Sequence, residues 1–399
     1  MKRKDQKNSH YVKGFLSIIF VVLFLAAARE EPFCLAKENE SGESGFNWQG
    51  SLSLDEVQEI FEHLQENGGA GENTGFSIQD YVSDILSGKS DFSLRELWSQ
   101  GLSQIEAQFD SQKQTLLRIL VLGILSGIFV NFAGTLGDRN LSETGFFVIF
   151  LLLVTTMSAG FISASQIAMD AVEHLLTFMK ILIPSFSLSL CVGTGTATSI
   201  AYYEAMLIAI SFLEMAMTNI FLPGVQVYFM LSMINQLAEN RFSRLAELVR
   251  SFLRFGIRFI FGVLIGYQGI QGMLLPVMDK VKNNALLRTA KGLPGIGNSI
   301  GGVADTVVGS GMLIKSAVGV GGILCIFILC FYPLLKLFTF QLMYRIGSAL
   351  VQPVSDKRVA ASLQITAESG MLLMKFVFAG ALMFLLSITI VVVSTNLTI

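Results

Sequence analysis

Charged side chains are scarce in this chain. They make up 15% of the 399 residues, whereas hydrophobic residues make up 52%. A soluble domain normally carries about 25% charged residues. Half of the acidic residues fall in the single stretch 37–111, which holds 15 acidic and three basic side chains. The remainder is therefore too poor in charge for an ordinary soluble domain, and its composition favours membrane-spanning helices.

Cysteine and histidine are also few, with four and three residues in the whole chain. They form no CxxC pair and no spacing typical of metal ligands, so we expect no metal or other cofactor. The glycine-rich run at 295–301 has the pattern GxGxxxG instead of GxGxxG, and no strand precedes it, which argues against a dinucleotide site. No nucleophile–base pair stands out either, and we do not expect an enzyme.

The first 36 residues have the pattern of a signal peptide. Several lysines and one arginine precede a 14-residue apolar stretch at 15–28, which is shorter than the ~20 residues that a spanning helix needs. Small side chains near Ala36 predict cleavage after that residue. The alternative is an uncleaved membrane anchor.

Residues 37–115 are predicted to form an acidic, extracytoplasmic helical domain. Three segments begin with capping boxes, at Ser53, Ser77 and Ser93, and continue with apolar residues at helical spacing. The 15 acidic and three basic residues of 37–111 give a net charge of −12. Such a charge repels nucleic acid, so we expect no nucleic-acid partner.

Residues 116–399 contain a series of long apolar runs, which predicts an all-α, polytopic membrane domain with seven or eight spans. Pro223-Gly224 leaves open whether two spans or one broken helix lie there. Residues 318–351 are long enough for a helical hairpin or two spans interrupted at Pro333. The apolar runs are 116–136, 144–163, 175–192, 196–222, 225–238, 255–278, 318–351 and 371–393.

Residues 241–258 form a basic amphipathic stretch that we expect on the cytoplasmic side by the positive-inside rule. It either lies on an anionic membrane surface or leads into the next span. The basic residues of 279–316 would then fall outside the cytoplasm if 255–278 crosses fully. Either this glycine-rich segment is re-entrant or the rule is broken there. The arginines that define the basic helix are Arg244, Arg250, Arg254 and Arg258.

Charged residues inside the apolar runs include Lys180, Glu204 and Glu214. Charge in lipid is expensive, so these side chains should face other helices or water. They could form a conduction or coupling site. Alternatively, Glu204 lies near an interface and Glu214 pairs with another span, for which Lys180 is a candidate.

Glycine is concentrated between residues 292 and 322, where it accounts for ten of 31 residues. Small residues four apart, as in Gly262-xxx-Gly266 and Gly297-xxx-Gly301, favour close helix packing. The other interpretation is a flexible or re-entrant segment that lines a passage. The packing or lining candidates are Gly292, Pro294, Gly295, Gly297 and Gly301.

Three motifs of the second half resemble the stage III sporulation protein AE family of endospore-forming Firmicutes. They are Lys-Gly-Leu-Pro-Gly-Ile-Gly at 291–297, Leu-Ile-Lys-Ser-Ala-Val-Gly at 313–319 and Val-Gln-Pro-Val-Ser-Asp at 351–356. The layout of leader, acidic helical region and polytopic body is similar too. The family has no established catalytic residues to carry over.

The resemblance implies a membrane subunit of a channel or secretion-like complex in the mother-cell membrane around the forespore. The implied partners are the other stage III A-operon membrane proteins and their ATPase subunit, with stage II protein Q as an indirect partner, in a homo- or hetero-oligomer. The alternative is a secondary transporter, with Glu204, Glu214 and the broken segments near Pro223 and Gly295 forming a midplane site.

Overall fold

The computed structural model describes residues 113–129, 139–193, 196–238, 241–291 and 297–396. Within these ranges, the side chains of 139–143, 192–193, 197–198, 272–291, 297–317 and 394–396 are not described. The predicted signal peptide, Ala36 and nearly all of the acidic domain lie outside the described residues. The described chain is helical apart from short turns and contains no strand, so the all-α prediction is confirmed.

Seven α-helices and one π-helical turn make up the described chain. The two longest have 55 residues each and measure about 80 Å at the usual rise, whereas the hydrocarbon core of a bilayer is ~30 Å thick. In chain order the elements are α1 (113–129), α2 (Arg139–Gly193), α3 (Thr196–Ala216), the π turn (Met217–Phe221), α4 (Leu222–Leu237), α5 (Ser243–Lys291), α6 (Gly297–Val351) and α7 (Lys357–Asn396).

Helix α2 joins two stretches that the sequence predicts as separate spans, 144–163 and 175–192. No glycine or proline occurs in the residues between them, so nothing interrupts the hydrogen-bond ladder there. Pro184 lies inside α2 on its exposed side. The prediction of two spans here is therefore wrong, because both segments belong to one helix.

Helix α6 likewise runs through Pro333 and Lys336 without a break, so residues 318–351 form neither a hairpin nor two spans. Apolar side chains on both sides of the proline, such as Cys330 and Leu337, are buried. Their burial outweighs the lost hydrogen bond of one proline. The backbone of 297–316 is part of the same helix, whereas residues 292–296 lie outside the described chain, so re-entry of the glycine-rich segment stays a prediction.

The chain around Pro223-Gly224 forms one continuous helix that contains a π turn. The N–H of Leu222 donates to the carbonyl of Met217, five residues back, which closes the π turn just before the proline. Proline is tolerated here because it stands in the first turn of α4, where its missing N–H is not needed. Helices α3 and α4 thus continue each other.

Helix α7 is central and packs against α2, α4, α5 and α6. It forms an antiparallel hairpin with α6, whose connection is closed by Asp356: its Oδ1 accepts a hydrogen bond from the N–H of Arg358 at 2.8 Å. Aromatic side chains fill the centre, where the rings of Phe221 and Phe376 lie 4.7 Å apart. Both of these phenylalanines are buried.

Four of the described helical stretches are long and apolar enough to cross a membrane. They are Thr144–Cys191, Ser199–Leu237, Val318–Val351 and Lys357–Val393.

Candidate functional site

The charged side chains within the helices form two ion pairs among the described residues. One joins Lys180 of α2 to Glu214 of α3, and the other joins Arg250 of α5 to Glu368 of α7. Each pair therefore links two helices that are distant in sequence.

The ammonium group of Lys180 contacts both carboxylate oxygens of Glu214. The Lys180 ammonium lies 2.8 Å from Oε2 of Glu214 and donates to its Oε1 at 3.0 Å. Both side chains remain 45–46% exposed. Because the ammonium neutralises the carboxylate, this geometry favours the pairing interpretation over a free coupling carboxylate at Glu214.

Glu204 lies far from the ion pair between Lys180 and Glu214. It lies ten residues from Glu214 on the same helix, a separation of about 15 Å along the axis. Its side chain is exposed, and it makes no ion pair with any side chain that the structure describes. The two carboxylates therefore do not share one site.

The second pair is part of a polar cluster between α4, α5 and α7. Arg250 Nη2 lies 2.6 Å from Glu368 Oε2, to which the hydroxyl of Tyr228 also donates at 3.5 Å. The other carboxylate oxygen accepts from Nε2 of Gln364 at 3.3 Å. Glu368 thus has partners from three helices and fixes the start of α5 against the bundle.

The sequence did not single out Gln364 and Glu368, because they precede the last apolar run at 371–393. Tyr228 stands inside the run 225–238, where nothing distinguishes it from a packing residue. A usable signal is present: Gln364 and Glu368 stand four apart, so they share a helix face. That spacing does not identify Arg250 as the partner of Glu368, because the pairing depends on how α5 and α7 pack.

Two glutamine amides and a tyrosine add further links to α5 and α4. Gln268 donates to the carbonyl of Met383 at 3.2 Å, and Tyr267 donates to the carbonyl of Ala205 at 2.9 Å. On the other side, Gln226 donates to Oγ of Ser165 at 2.9 Å. The polar groups inside the body therefore act mainly as contacts between helices.

The basic stretch 241–258 enters α5 at Ser243 and is continuous with the rest of that helix. Leu253 and Ile260 are buried against the bundle, whereas Arg244, Arg254 and Arg258 are exposed. Of the two alternatives left by the sequence, the structure has the one in which this segment leads into the following apolar stretch.

The glycines predicted to pack against helices or to line a passage fall into separate groups in the structure. Gly292, Pro294 and Gly295 lie outside the described residues, and for Gly297 and Gly301 only the helical backbone is described. A Cβ atom added at Gly262 or Gly266 would meet no described atom within 4 Å. Close packing at this pair is therefore absent among the described helices of this chain.

No group of three or more histidine, cysteine or acidic side chains that could hold a metal ion occurs among the residues searched, which are those the structure describes. Three free cysteines occur there, and two of them, Cys325 and Cys330, are buried in α6. They pack as small apolar residues.

These features define a polytopic helical membrane protein whose intramembrane charges tie its helices together. The chain belongs to the stage III sporulation protein AE family, because the family model described by that name matches residues 76–395. The family resemblance seen in the sequence motifs is thereby confirmed. A curated relative, stage III sporulation protein AE of Bacillus subtilis (strain 168), is 23% identical over 357 residues, which cover 87% of each chain. No solved structure matches the chain.

Proposed function

We propose that this sporulation membrane protein is a non-enzymatic subunit of a channel or secretion-like complex between mother cell and forespore. The observation that carries the proposal is the family match over residues 76–395, which takes in almost all of the described helices. A sequence relationship over that length supports a role shared with the family.

The arrangement of the charged side chains supports a non-enzymatic role. Lys180 pairs with Glu214, and Arg250 pairs with Glu368, so four of the charges within the helices are used in contacts between helices. A catalytic or transport site needs polar groups that converge on a substrate. The transporter alternative is less well supported, since Glu204 and Glu214 lie apart on α3.

The proposed location is the mother-cell membrane that surrounds the forespore. The proposed partners are the other stage III A-operon membrane proteins and their ATPase subunit, with stage II protein Q reached indirectly. The acidic domain at 37–115 would then contact basic surfaces of partner proteins in the space between the two membranes, since its net charge favours such surfaces.

Deletion of the gene in its native spore former tests the proposal. We expect the strain to lose heat-resistant spores after engulfment and to regain them when the full chain is supplied in the mother cell. A fluorescent fusion should concentrate at the membrane around the forespore. Normal spores combined with altered uptake of one solute would contradict the channel role and favour the transporter.

A second measurement separates the two functions at the level of residues. Glu204→Gln should leave sporulation unchanged under the channel proposal, because Glu204 has no described ionic partner to lose. A transporter that uses this carboxylate should instead lose uptake in the same variant. The matched control is Glu204→Asp, which keeps a carboxylate at this position and should behave as wild type in both assays.

A further inference from the structure

Helices α2 and α5 lie on different sides of the bundle. Both pack against α7 and against the continuous α3–α4 helix, but they make no comparable contact with each other. Each consequently has an outer face that no other described helix covers.

The outer face of α2 carries two acidic residues near the middle of the helix. Glu173 is exposed, and Asp170 is half-buried and accepts a hydrogen bond from Gln166 at 2.7 Å. Neither forms an ion pair with a side chain that the structure describes. Exposed Ile162 and Leu188 lie on either side of them along the helix, whereas the exposed positions in between are mostly polar. This part of the face is therefore acidic and is bounded by apolar residues.

The outer face of α5 carries the opposite charge within an apolar surface. Arg254 and Arg258 are exposed and form no ion pair with a described acid. They alternate with Phe255 and Phe259, which are 63% and 56% exposed. Gly262 follows, where an added Cβ would meet no described atom within 4 Å. This face is therefore basic, apolar and smooth enough for another helix to approach closely.

The two faces lie at the same depth in the bundle. The α3–α4 helix contacts both α2 and α5 and so gives a common reference for position along the bundle. Its Gly224 lies against Leu253 of α5, and two residues further on, Gln226 donates a hydrogen bond to Ser165 of α2. Residues 254–258 of α5 are thus level with about residues 168–173 of α2. Both helices run antiparallel to α3–α4, as further contacts at Glu214–Lys180 and Ala205–Tyr267 show, so α2 and α5 are parallel.

We propose that the chain associates head to tail with copies of itself, the outer face of α5 in one copy packing on the outer face of α2 in the next. Arg254 and Arg258 pair with Asp170 and Glu173 of the neighbouring copy. Copies related by an axis normal to the membrane keep every residue at its own depth, so these opposite charges meet. Opposite charges at matching depths attract each other, and the apolar residues beside them allow the two faces to pack closely.

Such a contact uses different surfaces on the two copies and therefore repeats into an arc or a closed ring. This inference goes beyond the proposed channel role, since self-association requires no other sporulation protein. Lys180 is not available for the same role, because Glu214 of its own chain already neutralises it.

Disulfide cross-linking in native-like membranes tests the contact directly. The chain, produced in a host without sporulation proteins, carries Met169→Cys on α2 and Phe255→Cys on α5, two exposed positions beside the charges. Oxidation should give a ladder of dimers and larger species. Mixing copies that carry only one new cysteine each should give dimers alone, and the parent chain with its native cysteines should give no ladder.

Charge reversal then identifies the residues responsible. Arg254→Glu with Arg258→Glu should lower the cross-linked fraction about tenfold, and Asp170→Arg with Glu173→Arg should do the same. All four changes together should restore the ladder, because the pairs are re-formed with opposite polarity. The matched control is Arg241→Glu with Arg244→Glu, exposed arginines of the same region at another depth, which should leave the ladder unchanged.

Membrane abundance of each variant is measured alongside, so that failure to insert is separated from failure to associate. A ladder that is insensitive to charge reversal, or that the fourfold variant does not restore, would overturn the pairing. Cross-linking only to a protein of different mass, seen only in the sporulating cell, would show that another subunit covers these faces and would overturn self-association.

Discussion

Helices α5 and α7 are both long, with five and two glycines respectively, but they occupy very different surroundings. Helix α7 is covered by four neighbouring helices, and its Gly370 lies under the ring of Phe340. Helix α5 is covered on one side only, and its Gly262 and Gly266 face open space. Hydropathy alone does not separate these cases, because lipid and protein interior are equally apolar.

Glycine spacing indicates where a second helix can approach closely, but it does not indicate whether that helix belongs to the same chain or to another. In α7 the approach is made by α6 of the same chain. At Gly262 and Gly266 of α5 the described chain offers no such helix, and the arginines that precede these glycines favour a partner of opposite charge. Changes made in pairs, one in each helix, test this difference.

The largest contrast is expected for aromatic truncation. Phe376→Ala in α7 should lower the free energy of unfolding by about 3–5 kcal/mol, because Phe376 is fully buried and its ring packs on Phe221. Phe255→Ala in α5 should change it by less than about 0.5 kcal/mol, since that ring is exposed. Unfolding by SDS titration in mixed micelles measures both. Equal losses would show that α5 is covered within the monomer.

The next contrast concerns the glycines themselves. Gly370→Leu should destabilise the chain by about 1–3 kcal/mol, because even a Cβ would lie 2.7 Å from Cδ1 of the buried Phe340. Gly262→Leu should leave monomer stability almost unchanged but weaken the cross-linked ladder, because it obstructs approach from outside. Thermal denaturation followed by size-exclusion chromatography checks the first expectation. A destabilised monomer in Gly262→Leu would contradict the second.

A smaller effect is expected for the pair that holds α5 on α7. Glu368→Gln should cost about 1 kcal/mol, since it leaves the partly buried Arg250 without its carboxylate; the exposed fractions of 28% and 37% reduce the effect. A double-mutant cycle with Arg250→Gln should show coupling between the two residues. Additive single changes would show that the contact contributes nothing measurable.

The smallest effect is expected at Lys180 and Glu214. Both are nearly half exposed, so Lys180→Gln should reduce stability by no more than about 0.5 kcal/mol at moderate salt. Raising the salt concentration should narrow the difference between wild type and variant. Glu204→Gln serves as the control, because it removes a carboxylate of α3 that forms no described ion pair. A loss well above that of the control in high salt would indicate a more deeply desolvated pair.

The sequence was sufficient for the fold class and the family, but not for the way the apolar runs join. Long apolar runs predict helices because only helices satisfy their own backbone in lipid, and this holds along the described chain. The separate spans at 144–163 and 175–192 failed because their polar connection at 164–174 has no helix breaker. Tertiary contacts on both sides keep it helical, and such contacts cannot be read from one sequence.

The side of the membrane on which the basic helix lies stays a prediction. Five apolar runs precede residue 239, and they predict that Arg241 and the following arginines lie on the side opposite to the acidic domain. Among the described helices, two stretches that are long and apolar enough to cross a membrane precede that residue, Thr144–Cys191 and Ser199–Leu237. The partner of Arg250 could not be predicted, since it depends on how α5 and α7 pack.

The π turn before Pro223 sets the rotational phase of the two helices that it joins. Glu214 and Gln226 both reach α2, through Lys180 and Ser165. In an uninterrupted α-helix, residues twelve apart point about 120° away from each other. One extra residue accommodated in a wider turn reduces that angle to about 20°. The turn thus allows one helix to present polar groups to the same neighbour on both sides of a proline.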